Sequence, residues 1–175
     1  MTNKASKLVL LTILVSALLL SAATMAAAQT KTTLHYKAVM TEITSNWFPV
    51  GDPADGHFVG IGVYRGVHGA ETGERWVESA VGNTDAIKGT GTGSGYFTDT
   101  YSDGSTMSGT YVFHMSTGAN GLWVESLNGD YVSGTGRFEG IKGTWAGTAR
   151  QINSTKDFAS FNEHEGTGTY TLPSK

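Results

Sequence analysis

The chain contains no cysteine. That absence removes disulfides as a source of stability, and with them thiol nucleophiles, zinc–thiolate sites and dithiol redox chemistry. Prolines number only 3 against 24 glycines, so the glycine belongs neither to a collagen-like repeat nor to a proline-rich linker. Basic residues are scarce as well, with 12 Lys and Arg against 15 Asp and Glu. Without a cluster of cations to neutralise phosphates, nucleic acid is excluded as an expected partner. No long apolar run follows Leu20, so no membrane anchor is expected in the rest of the chain.

What is there begins with a leader. Lys4 and Lys7 precede the uncharged run Leu8 to Leu20, and the small-residue segment Ser21 to Ala28 follows at once. Positive, apolar, small is the order that marks a signal peptide, and the apolar run is shorter than the roughly 20 residues a bilayer core requires. Residues 1–28 are therefore expected to be cleaved after Ala26-x-Ala28. This leaves residues 29–175 as a single exported domain, periplasmic or secreted. No cysteine stands at the junction to carry a lipid.

From Thr32 onward, side-chain character alternates with period two and is punctuated by glycine and Asx-Gly, with no sustained helical stripe. This predicts an all-β domain of about eight antiparallel strands. In the first, Thr33 to Ile43, Leu34, Tyr36, Ala38 and Met40 share a face while His35 and Lys37 take the other. Ser45 to Gly56 reads as a loop folded over one barrel mouth, and Asn128-Gly129 as a turn ending a short strand around Leu122 to Ser126. Gly89, Gly91, Gly93 and Gly95 fall on one face of the fourth strand, which predicts that something large crowds them. Asp103-Gly104 predicts a tight hairpin, after which Met107, Tyr111, Phe113 and Met115 share a face. Closure into a barrel is the simplest way to hide the strand edges.

The segment Gly134 to Gly143 reads GTGRFEGIKG. This pattern resembles a late-strand signature of the allene oxide cyclase-like barrel group, which includes the plant dirigent proteins. The glycines would permit a sharp bend and Phe138 would plug the barrel end. The resemblance implies an eight-stranded antiparallel barrel with an apolar cavity, often a dimer or trimer. It also implies functions ranging from cyclisation of unsaturated substrates to steering of phenol coupling. The plant cyclases end their first strand on Tyr-Glu-Ile-Asn; here Thr41-Glu42-Ile43-Thr44 keeps the Glu and replaces the Asn, and no cysteine matches the family's pocket thiol.

The candidate groups follow. Glu42 shares the parity of Tyr36, Ala38 and Met40, so it is expected to point inward at a mouth, where desolvation would suit a carboxyl to proton transfer. Trp47 and Phe48 at the mouth, with Tyr36, Met40, Tyr111 and Phe113 on the strands, are the expected ligand-binding residues for an apolar or aromatic small molecule. None of His35, His57, His68, His114 and His164 pairs at i, i+2, and Glu163-His164-Glu165 alternates faces, so no metal and no cofactor is expected. His114 is expected to be exposed. The leading expectation is a binding barrel without catalysis. A cyclase- or isomerase-like enzyme using Glu42 and a secreted structural oligomer are the alternatives.

Overall fold

The computed structural model describes residues 29–152 and 160–174. The leader lies outside the described residues, and so does Ser154 to Phe158, whose sequence reads as a loop. Lys31–Pro173 forms one compact unit of eight strands: β1 (Lys31–Pro49), β2 (His57–Ala70), β3 (Arg75–Ile87), β4 (Thr90–Tyr101), β5 (Thr106–Thr117), β6 (Trp123–Thr135), β7 (Lys142–Gln151) and β8 (Phe161–Thr171). Each pairs antiparallel with the next, and β1 pairs with β8, closing the barrel. Closure leaves no unpaired edge, which is how a chain without disulfides keeps its sheet intact.

The inner face alternates rings with glycines. Tyr111 lies over Gly82 and Gly95, where an added Cβ would stand 2.2 and 2.5 Å from its ring and hydroxyl atoms. Tyr36 covers Gly166 in the same way. The crowding expected over Gly93 and Gly95 is thus the Phe113 and Tyr111 side chains of β5. Leu34, Tyr36, Ala38 and Met40 face inward as a set, and Met107, Tyr111 and Phe113 are buried opposite them.

One end is plugged. Gly136 and Gly140 adopt φ of +60° and +77°, which lets the chain turn through a short 3-10 segment, Gly136–Phe138, between β6 and β7. The turn drops Phe138 into the barrel end, 4.7 Å between ring centroids from Tyr101 and 6.2 Å from Tyr170. The Arg137 guanidinium caps the plug, 4.7 Å above both the Tyr101 and Phe138 rings, and pairs with Glu74 and Asp103 on the neighbouring turns. The bend and plug expected of Gly134–Gly143 are therefore present. Asp103-Gly104 forms the β4–β5 hairpin, with Gly104 at φ +80°.

Two boundary expectations are corrected. Most of the loop expected from Ser45 continues β1 instead: a bulge at Ile43 adds one residue, and Thr44 to Pro49 then pair with Val63 to Phe58. Only Val50 to Gly56 turns, around Pro53–Asp55. Asn128-Gly129 is not a turn but the middle of β6, paired with β5 and β7. Its glycine is required because a Cβ there would lie 1.8 Å from the Thr110 carbonyl oxygen.

Candidate functional site

The bulge at Ile43 decides what the open end looks like. By inserting one residue it shifts inward parity from even to odd positions, so Trp47 lines the mouth with Glu42 and Ser45 links the two. They form a chain: the Trp47 indole N–H donates to Ser45 Oγ at 2.9 Å, and Ser45 Oγ donates to Glu42 Oε1 at 2.6 Å. Trp47 meets Phe58 edge to face at 5.3 Å and covers Gly60. Opposite them, Met115 of β5 and Trp123 and Glu125 of β6 complete the wall of a cavity of about 510 Å³. A smaller cavity of about 70 Å³ lies deeper, lined by Tyr36, Met40, Tyr111, Phe113, Leu127 and Trp145 among others. Tyr64, Thr84, Trp123, Glu125 and Asn162 belong to the walls of both.

The polar groups of this interior are few. Burial pushes the Glu125 carboxyl up to about 8, so it holds its proton at neutral pH and can donate a hydrogen bond. Burial raises the Tyr64 and Tyr111 hydroxyls as well, with the nearby carboxyls Glu42 and Glu125 adding to the effect on Tyr64. His164, half-buried on β8, is lowered to about 4 by desolvation and stays neutral.

A second polar group sits deeper. His68 of β2, Glu78 of β3 and Asp99 of β4 bring their donor atoms within 4.8 Å of one another. His68 Nε2 stands 3.3 Å from Glu78 Oε2. The His68, Tyr36 and Trp76 rings form a triangle, with centroids 5.2 Å (His68–Tyr36), 5.3 Å (His68–Trp76) and 6.1 Å (Tyr36–Trp76) apart. Desolvation lowers His68 to about 3 and raises Glu78, the Asp99 hydrogen bond to Glu78 pulling the other way. Asp99 is raised by burial first and by the Glu78 charge second.

Of the expected ligand residues, Tyr36, Met40, Tyr111 and Phe113 meet at the inner cavity and Trp47 at the mouth. Phe48 is not brought together with them. It follows Trp47 on the strand, so it faces outward and is 58% exposed. Glu42 does line the mouth, and His114 is exposed as expected. Sequence reasoning missed Glu125 and the His68, Glu78, Asp99 group. The parity of Leu127 and Trp123 would have placed Glu125 inside once β6 was known to run on to Thr135. The three deeper residues sit 10 and 21 positions apart on different strands, and no local spacing links them.

No family model matches the chain, and no curated protein matches it. Among solved structures it is similar to the pterocarpan synthase dirigent protein GePTS1, at 16% identity and a TM-score of 0.42, over 82% of this chain and 90% of that one. It is similar to the pterocarpan synthase dirigent protein PsPTS1 at 15% identity and a TM-score of 0.43, over 82% and 97%. A protein of unknown function from the DUF3224 family of Shewanella oneidensis MR-1 is similar at 17% identity and a TM-score of 0.36, over 83% and 99%.

Proposed function

We propose that the barrel binds a small, mainly apolar molecule with an aromatic or unsaturated portion, which enters between Trp47 and Trp123 and presents a hydrogen-bond acceptor to Glu125. The observation that carries this reading is the mouth cavity of about 510 Å³, walled by Trp47, Phe58, Met115 and Trp123 and sharing Tyr64 and Glu125 with the inner cavity. Concave, largely apolar walls with a few convergent polar groups are what small-molecule sites require. A neutral carboxylic acid in such a wall orients a carbonyl or ether oxygen without the cost of burying a charge. Export, proposed on the Lys4 to Ala28 pattern, would place this binding outside the cytoplasm; mature protein beginning at Gln29 is the corresponding observation.

The test is titration of the purified protein with N-phenyl-1-naphthylamine, an uncharged fluorescent aromatic. Saturable binding at one site, weakened about tenfold by Trp123→Ala, is expected, a loss in keeping with one large contact. Absence of saturable binding, or binding indifferent to Trp123→Ala, overturns the reading.

A second reading, proton-transfer catalysis of the cyclase or isomerase type, draws on one further observation: Glu42 and Glu125 line the same cavity in different surroundings, Glu42 hydrogen-bonded to Ser45 and Glu125 desolvated. Paired carboxyls in unlike environments suit separate acid and base roles. Loss of turnover in Glu42→Gln with binding intact would select this reading, and full turnover in that variant would reject it.

A further inference from the structure

We propose that His68, Glu78 and Asp99 form a binding site for one first-row divalent metal ion inside the barrel, with His68 Nε2 and one oxygen from each carboxylate as protein ligands.

The argument starts from strand register. Glu78 and Asp99 are direct cross-strand partners on the inner face, and like charges placed directly opposite one another destabilise a sheet. Asp99 is 4% exposed and His68 3%. A carboxylate taken out of water costs several kcal/mol unless a cation or a full set of hydrogen bonds compensates it. No cationic side chain does so here, because every described lysine and arginine is exposed. Hydrogen bonds compensate only in part: Glu78 and Asp99 share one, while Asp99 Oδ1 and His68 Nε2 are buried without a hydrogen-bond partner among the described residues. These orphaned atoms belong to side chains that converge on one point.

A metal ion answers each of these conditions. Two carboxylates balance a divalent charge, and the free Nε2 lone pair of a neutral imidazole is a ligand as it stands. The 3.3 Å between His68 Nε2 and Glu78 Oε2 matches the edge of about 3.3 Å that bonds of ~2.0–2.1 Å give in a tetrahedral site. The third donor, within 4.8 Å, closes by rotation of the Asp99 side chain. Tyr36 and Trp76, themselves 6.1 Å apart, both pack against the imidazole, outer support of the kind that fixes a ligand ring. Three protein ligands leave a position open. His68 and Glu78 line the inner cavity of about 70 Å³, which has room for a water or one ligand atom on the metal. One imidazole with two carboxylates suits Zn²⁺, Co²⁺ or Mn²⁺ better than a thiophilic ion.

The test uses the full mature chain, stripped with a chelator and titrated with Co²⁺. Uptake of one Co²⁺ per chain is expected, with visible ligand-field bands, displacement by Zn²⁺ and paramagnetically shifted imidazole protons from His68. Asp99→Asn, nearly isosteric, and His68→Gln should each weaken uptake at least tenfold, whereas Asp130→Asn, exposed on β6, should leave it unchanged. If His68→Gln fails to fold, Asp99→Asn with a native circular dichroism spectrum and the wild-type proton shifts still decide the matter. Lack of stoichiometric uptake would leave the group as a proton-sharing carboxyl pair beside a neutral histidine and overturn the site. So would uptake that Asp99→Asn does not alter, or uptake without shifted His68 protons.

Discussion

The two ends of this barrel are built from the same materials to opposite effect. At the plugged end, Phe138, Tyr101, Tyr131, Tyr170 and Ile141 fill the bore, and Arg137 ties the lid to Glu74 and Asp103. At the open end, Trp47, Phe58, Met115 and Trp123 stand around a cavity. Aromatic content does not separate them. Backbone does: two left-handed glycines fold the β6–β7 connection into the bore, whereas the bulge at Ile43 carries β1 onward and keeps the Trp47 ring on the wall. A ring brought in by a turn becomes core, and a ring held on a strand extension becomes lining.

If that division is right, substitutions at the two ends should separate stability from binding. The largest effect is expected for Phe138→Ala, a loss of about 3–5 kcal/mol in urea unfolding with little change in naphthylamine affinity per folded molecule. Equal losses in both would erase the distinction between the ends. Next comes Gly95→Ala at mid-barrel, where the new methyl would meet the Val81 carbonyl oxygen at 2.2 Å and the Tyr111 ring at 2.5 Å. A loss of about 1–3 kcal/mol is expected from the overpacking, with Tyr111→Ala in the same chain recovering only the ring's part because the carbonyl stays in place.

The third sharpens the open end through pH. Glu125 is raised to about 8 in the folded state, so between the ordinary glutamate value and about 8 the folded chain keeps a proton that the unfolded chain has released. Stability contributed by this site is therefore full at low pH and falls as pH rises through that window. Tyr64 and Tyr111, which face it, are raised by burial and stay neutral throughout. Relative to wild type, Glu125→Gln should gain on the order of 1–3 kcal/mol between pH 6 and pH 9, after allowance for solvent at the mouth. An unchanged pH profile would contradict the burial of this carboxyl. The smallest stability effect is expected for Trp47→Ala, within about 1 kcal/mol, yet with several-fold weaker probe binding. Phe48→Ala, one residue along and facing outward, should alter neither.

Much of the architecture was legible because period-two alternation survives in the inner face, as with Met107, Tyr111 and Phe113. The misplacements share one cause. Asn128-Gly129 carries the chemistry of a turn, but its glycine answers to the Thr110 carbonyl across the sheet, and local composition cannot report a neighbour that is 19 residues away. The bulge at Ile43 likewise has no sequence signal of its own, so the strand beyond it read as a loop and Trp47 and Phe48 were grouped although they face opposite ways. The His68, Glu78 and Asp99 group was the least legible, since it exists only through the pairing of β2, β3 and β4.

Closure of β1 on β8 also shapes how the chain must fold. Each of the other seven pairings joins strands adjacent in sequence, whereas Lys31 finds Thr171 and Met40 finds Asn162 across almost the whole domain. Hairpins form in microseconds, but this seam bears the loop-closure entropy of the entire sheet. Until it shuts, the growing sheet has two raw edges, so the seam is the step at which folding and aggregation compete.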